Sequence, residues 1–352
     1  MSESALAPEG VDLEKLREFF AGQVADAEDA PLRASLIAGG KSNLTYVITD
    51  GVREWVLRRP PLGHVVETAH DMGREFRVLR GLASTRVPVP RVFAYCDDPS
   101  LIGAPFYVME RIDGRIPRTA EEMATFTPDE ARRCSFSLVD VMADIHGVDF
   151  DAAGLSDLGR PEGFLERNLR RWGKQWEANK TSDIPEIDEL GRRLQRALPP
   201  SGPPSIVHGD YRLDNTMLAP DDPGRVIAVL DWEMSTLGDP LTDLGLFLLY
   251  WGKVPGAAIG TSQGVAEVPG FITTDEVVER YAANTGRDLE HLDFYVVFAA
   301  YKLAIIIAGI HARYLMGKTL GEGFDNYSER LTDLSRHGLT LAEEAPIPAL
   351  HG

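Results

Sequence analysis

The sequence predicts an α+β protein in two lobes: a small antiparallel sheet with one helix, followed by a larger, mainly helical lobe. Three observations predict it. The first ~110 residues read strand–strand–strand–helix–strand–strand, with short hairpin connections where the turns can be read. Beyond them, apolar residues recur at three- and four-residue spacing, the signature of packed helices. The length, 352 residues, exceeds one average domain and is short for three. The division is drawn as 1–112 and 113–352, with Asp113-Gly114 as the hinge.

The elements follow in order. The first 30 residues carry eight acidic and two basic side chains, and within them Val11 to Phe20 reads as a short amphipathic helix. Leu32 to Ala38, Leu44 to Thr49 and Glu54 to Arg58 read as strands. Asp50-Gly51 is a hairpin turn, and Pro60-Pro61 stops the third strand. A helix over roughly Glu67 to Ser84 buries Met72, Phe76, Leu79 and Leu82. Val87 to Ala94 and Phe106 to Ile112 complete the sheet. In the second lobe, Pro128 to His146 is an amphipathic helix with Phe136, Val139, Met142 and Ile145 on one face. Residues 164–200 are helical and rich in Arg, and Pro199 to Pro204 break the pattern. Ser205 to Leu218 and Arg225 to Asp231 read as short apolar strands flanking polar loops. Leu241 to Trp251 and Asp275 to Leu315 read as helices, and the Gly-, Pro- and Ala-rich 253–270 as a surface loop.

Composition removes several function classes. Acidic residues outnumber basic ones 54 to 36, a net charge of −18, which argues against a nucleic-acid partner. The two cysteines, Cys96 and Cys134, form neither a metal–thiolate cluster nor a disulfide framework, so a reducing, cytoplasmic compartment is expected. Met1 to Gly10 has neither the basic nor the apolar region of a secretory signal. The most apolar stretch, Phe294 to Ile310, holds Lys302 and is shorter than the ~20 residues of a bilayer span. A buried helix is expected there, and no membrane partner.

The chemistry concentrates in His208-Gly209-Asp210-Tyr211-Arg212-Leu213-Asp214-Asn215, with Asp231 sixteen residues after Asn215. A polar loop holds an Asp and, five residues on, an Asn; a second strand delivers another Asp. Such oxygen donors suit Mg²⁺ completed by phosphates and water. Asp210 could accept a hydroxyl proton while Asn215 and Asp231 hold metal. Against this stands the commonness of Asp and Asn in loops. Gly39-Gly40-Lys41-Ser42-Asn43 could bring backbone N–H groups to phosphates. It is not a Walker A loop, because Ser35 stands where Gly is required and a strand follows instead of a helix. Arg58 could pair with Glu75, although a solvated pair among Arg59, Arg74, Arg77 and Arg80 is the simpler reading of those residues alone. The Gly260 to Gly264 match to a nucleophile elbow, with Ser262, lies in a Gly/Pro-rich loop and lacks the strand and helix that motif needs. His146 reads as packing or capping, and Trp172 and Trp176 as core or pocket wall.

Taken together, Gly39 to Tyr46, Val56-Leu57-Arg58, Arg74-Glu75-Phe76, Val108 to Ile112, His208 to Asn215, Leu230 to Glu233 and Gly238 to Asp243 resemble the aminoglycoside phosphotransferase-like family, with its protein-kinase-like fold. The closest likeness is to the branch found fused to some acyl-CoA dehydrogenases. The resemblance implies a loop at Gly40, Lys41, Ser42 and Asn43 over the ATP phosphates. It implies Glu75 as the carboxylate that pairs with the third-strand cation, and Glu110 and Ile112 as backbone partners of adenine. Asp210 is implied as catalytic base, Asn215 and Asp231 as Mg²⁺ ligands, Asp243 as a brace of the catalytic loop, and Arg212 as a cation steadying the transferring phosphoryl group. The chain departs from the family in having Arg58 where Lys is usual, a planar fork in place of a compact ammonium.

The expected function is therefore transfer of the γ-phosphate of ATP, or GTP, with Mg²⁺, to a hydroxyl of a small molecule. Residues 201–352 hold 21 acidic and 10 basic residues, which would suit an aminoglycoside-like or amino-alcohol acceptor, whereas the dehydrogenase kinship points to a hydroxyacyl thioester. The alternatives are a non-catalytic nucleotide-binding regulator on the same fold, motivated by Arg58, and a serine hydrolase using Ser262.

Overall fold

In the computed structural model, residues 8–24, 27, 29–37, 43–62, 71–252, 254, 264–316 and 327–352 are described. Helix α1 (Leu13–Gln23) precedes a five-stranded antiparallel sheet in the order β1-β2-β3-β5-β4. Its strands are β1 (Arg33–Leu36), β2 (Leu44–Thr49), β3 (Glu54–Arg59), β4 (Val92–Cys96) and β5 (Phe106–Glu110), with helix α2 (Met72–Leu82) between β3 and β4. Successive strand side chains point to opposite faces. On β3, Trp55 and Leu57 therefore join Tyr46 and Ile48 of β2 and Leu16 and Phe20 of α1 in one core. Arg59 shares their parity and is buried, donating to the carbonyls of Gly10 and Ile102 at 2.6 and 2.7 Å. Arg58 has the opposite parity. In the β3–β5 register it lies directly across from Tyr107.

Capping and proline chemistry move two expected boundaries, and a third also differs. The side chain of Asp71 accepts from the Arg74 N–H at 2.9 Å, so α2 starts at Met72; the expected start, residues 67–70, lies outside the described residues. β4 begins at Val92 instead of Val87, since Pro88 and Pro90 have no N–H for a ladder. β5 ends at Glu110, two residues early.

Two compact units divide the chain. The first comprises Met1–Gly114 with Asp151–Leu155 and Ile227–Met234, and the second comprises the rest. Asp231, placed in the second lobe by its position in the sequence, thus belongs with the sheet unit. The Val229 N–H donates to the carbonyl of Pro88 at 2.8 Å, which ties that segment in.

The second unit contains α3 (Ala120–Met123), α4 (Pro128–His146), α5 (Phe164–Asn179), α6 (Pro185–Arg196), β6 (Ser205–Val207) and β7 (Thr216–Leu218). After the excursion through β8 (Val226–Val229) come β9 (Thr236–Gly238), α7 (Leu241–Trp251), α8 (Thr274–Thr285), α9 (Leu292–Leu315) and α10 (Tyr327–Glu344). α4 begins with Pro128 in its first turn behind a Thr127/Glu130 capping box. The expected helix over 164–200 is two helices, because Pro185 starts a new one. The helix expected over Asp275 to Leu315 is likewise two. Gly286, at φ +62°, ends the first in the left-handed conformation that a residue with Cβ resists. α10, β9 and the short α3 went unread in the sequence. The stretch 253–270 is not simply surface: among its described residues, Val254 and Val265 are buried.

α9 is apolar on every side, which is the pattern of a helix enclosed by others. It packs on α5, α6, α7 and α10. Its 24 residues are enough to cross a bilayer by length, and 72% of its most apolar window is buried within the protein. The α7–α9 contact depends on Gly245, where a Cβ would stand 2.5 Å from the Tyr295 backbone. Ala regains ~1 kcal/mol of helix propensity, but overpacking of this kind costs about 1–3 kcal/mol and two backbones cannot step aside. Gly245→Ala is expected to lower stability by up to about 2 kcal/mol, read from urea unfolding.

Candidate functional site

In the second unit, β6 leads into the His208–Asn215 loop, and Gly209 turns the chain at φ +87°. Asp243, in the first turn of α7 and 1% exposed, holds this turn. Its two carboxylate oxygens accept the His208 and Gly209 N–H groups at 2.6 and 2.8 Å. His146 stands behind it, with Nε2 3.3 Å from the same carboxylate and Nδ1 2.7 Å from the Tyr281 hydroxyl. Burial pushes the Asp243 carboxyl up, but the hydrogen bond and charge of His146, with His208 and the Gly209 N–H, hold it below the ordinary range.

Asp210 follows the braced turn and is partly exposed. Asn215 donates from Nδ2 to both the backbone carbonyl and Oδ2 of Asp210, each at 2.8 Å. Both amide hydrogens are thereby committed, and the amide oxygen is the atom left for a cation. Arg212 lies 3.4 Å from Asp210 and 3.3 Å from Asp214, with its guanidinium over the Tyr250 ring.

The first unit gathers a second set of groups. Arg58 Nη2 donates to Asp231 Oδ1 at 2.6 Å, and its Nε is 3.5 Å from Glu75 Oε2. Glu75 is 1% exposed, so the pair is buried and the simpler, solvated reading is wrong. Strand parity explains this: only Arg58, not Arg59, leaves β3 on the α2 side. Tyr107, across from Arg58, donates its hydroxyl to Glu75 at 2.7 Å. Burial raises the Glu75 carboxyl despite the pull of Arg58 and Tyr107. Burial opposes the charge on Arg58, yet Tyr107, Glu75 and Asp231 raise its proton affinity. Asp231 is the one described non-glycine residue at positive φ, 65°, the kind of backbone strain that clusters at functional sites. A carboxylate oxygen from each of Glu75, Asp231 and Glu233 lies within 4.8 Å of the others, a set of hard donors.

Among the other expected residues, Asn43 is buried and donates to Glu233 at 3.1 Å and Glu75 at 3.5 Å. Gly40, Lys41 and Ser42 lie outside the described residues, as does Ser262. Glu110 closes β5, and its N–H donates to the Arg91 carbonyl at 2.7 Å. Ile112 follows, partly exposed. Trp172 and Trp176 are buried, as expected of core or pocket-wall residues. Tyr107, Glu233 and the His146 contact with Asp243 were missed. Glu233 had a signal, two residues past Asp231, whereas His146 and Tyr107 had none beyond their polar tips on apolar elements.

Asp243 carries a test. Its folded-state proton affinity is depressed, so its stabilisation is fully present above the unfolded value, ~4, and is lost as pH falls through the lower folded value. Asp243→Asn should cost about 3 kcal/mol at neutral pH and flatten the acid limb of unfolding followed by circular dichroism. An unchanged acid limb would show that Asp243 does not carry this linkage.

Comparison with known proteins identifies the family. The model of the phosphotransferase enzyme family matches residues 33–293. Acyl-CoA dehydrogenase family member 11 of Rattus norvegicus is 36% identical over 317 residues, 89% of this chain and 40% of that protein. The chain thus spans about two fifths of that relative. A solved Ralstonia eutropha protein, named provisionally as an aminoglycoside phosphotransferase, superposes with a TM-score of 0.83 at 33% identity, covering 95% of this chain and 99% of the other. An aminoglycoside phosphotransferase solved as a ternary complex with streptomycin and ATP shares the fold, with a TM-score of 0.57 at 16% identity over 85% of this chain and 90% of that one. The family match over most of the length, the dehydrogenase kinship and the shared fold lead to one statement: the chain belongs to the phosphotransferase enzyme family, on a protein-kinase-like fold, in the branch related to the kinase-like part of acyl-CoA dehydrogenase family members.

Proposed function

We propose that the protein transfers the γ-phosphate of ATP to a hydroxyl group of a small molecule. The observation that carries this reading is the loop itself: a partly exposed Asp210 fixed twice by Asn215, on a turn braced from below by Asp243. A general base needs that restraint, because its oxygen must meet one proton in one direction.

The acceptor O–H gives its proton to the Asp210 carboxylate. The acceptor oxygen forms a bond to the γ-phosphorus while the bond to the β-phosphate oxygen breaks, and the electron pair leaves with ADP. Arg212 offers a cation to the charge spread over the phosphoryl oxygens. Asn43, Arg58, Glu75, Glu110 and Ile112 are assigned to the nucleotide. Arg58, gripped by Glu75 and Asp231, would keep its charge in this role where the family has Lys. The residues present fit magnesium. Asn215 has only its amide oxygen left to offer, and the Asp231 carboxylate belongs to a group of close, hard oxygen donors. Asn215 and Asp231 would hold the ion, which when bound supplies neutralisation of phosphate charge.

The acceptor is assigned by a screen. ADP formation would be followed with aminoglycosides, amino alcohols and hydroxyacyl thioesters, with ATP and with GTP, beside an Asp210→Ala control. Turnover of one class that vanishes in the control is expected. Turnover that survives it would refute the assignment of Asp210, and no turnover beyond that of the control with any class would refute phosphotransfer.

A further inference from the structure

α9 is almost wholly apolar, yet it carries Lys302 in the run Ala299-Ala300-Tyr301-Lys302-Leu303-Ala304. An ammonium among buried neighbours is costly unless it is hydrogen-bonded. Its bond is to the loop described above: Nζ donates to the Gly209 carbonyl at 2.6 Å. The ammonium also stands over the Trp172 ring, 5.9 Å from its centre. Burial lowers its proton affinity, as do Arg171 and Arg212, while Asp210 and Asp243 raise it.

The position of that carbonyl matters. The Gly209 N–H is already held by Asp243. The Gly209 carbonyl belongs to the next peptide plane, the one that ends at the Asp210 nitrogen. Glycine, here at φ +87°, resists rotation of its flanking peptides less than any other residue. The Asp210 N–H of that plane donates to His208 Nδ1 at 3.2 Å, so without a partner on its carbonyl the plane entering Asp210 would rest on that one local bond. We propose that Lys302 is a positioning residue: from α9 it pins the Gly209–Asp210 peptide, so that the glycine turn is clamped at both ends and Asp210 is held in its working direction. This rests on the phosphotransfer reading for its kinetic consequence, but the clamp itself is a property of the loop.

The test compares Lys302→Met, which keeps the length without a donor, with Lys302→Arg, which keeps charge and donors. The probe is ATP with Mg²⁺ and water as acceptor, beside hydrogen exchange over residues 205–218. For Lys302→Met we expect faster exchange confined to that loop and a kcat lowered about 10- to 100-fold, with KM for ATP within about twofold. Lys302→Arg should regain most of the loss. An unchanged exchange pattern in Lys302→Met overturns the clamp, as does faster exchange throughout the second unit with no rescue by Lys302→Arg, the mark of simple destabilisation. Wild-type protein that turns over ATP no faster than Asp210→Ala, with water and with every acceptor class of the screen, sinks the phosphotransfer reading, while the exchange data still decide the clamp.

Discussion

Asp210→Asn is expected to lower phosphotransfer by about 10²- to 10⁴-fold, with nucleotide affinity held within about twofold. The reason is chemical, not structural. Asparagine fills the same volume and can still accept the Asn215 amide through its oxygen, so the loop braced by Asp243 should survive. It cannot take up the hydroxyl proton. The loss should therefore appear in kcat rather than KM, measured by ADP release with the acceptor that the screen returns. Arg212 would lose a carboxylate 3.4 Å away but keep Asp214 at 3.3 Å, so it should stay in place. A variant that retained more than a tenth of wild-type kcat would remove Asp210 from the reaction.

Arg58→Met should have the largest effect on stability, about 3–5 kcal/mol. It leaves the carboxylates of Glu75 and Asp231 beside one another, with Glu75 1% exposed and no cation between them. Arg58→Lys should recover part of the loss, since a single ammonium replaces a fork that reaches both partners. The pH dependence follows from Glu75. Its folded-state proton affinity is already raised by burial, so the folded chain binds that proton more tightly than the unfolded one, and the ionised form is the costly one. Without Arg58 the affinity rises further. The deficit of Arg58→Met should then shrink on acidification below neutrality and be greatest at high pH. Glu75→Gln in the same chain should recover stability, and a double-mutant cycle in urea measures the coupling. Additive single effects would mean that Arg58 and Glu75 act independently despite their contact.

Periodicity and turn chemistry were enough to read α4 and α7 end to end, and β2 with them. Their caps, prolines and apolar spacing lie within the elements themselves. The same local logic exposed the Asp210–Asn215 loop, whose polar side chains answer to each other five residues apart. It failed where the deciding partner lay elsewhere. Arg58 and Arg59 are indistinguishable as a dipeptide; strand parity sends one to Glu75 and the other to main-chain carbonyls. Asp231 is far along the chain from the sheet that it joins, and Lys302 is 93 residues from the carbonyl that it holds. A side chain's intrinsic preferences are written in its neighbours along the chain, but its electrostatic partner is chosen only when packing brings remote segments within a few ångströms. The family, the Glu75 partner of the third-strand cation and the Asp243 brace could thus be read before folding through the resemblance, whereas the Arg58–Asp231 bond, the His146 contact behind Asp243 and the Lys302 bond to the Gly209 carbonyl came into being with the packed core.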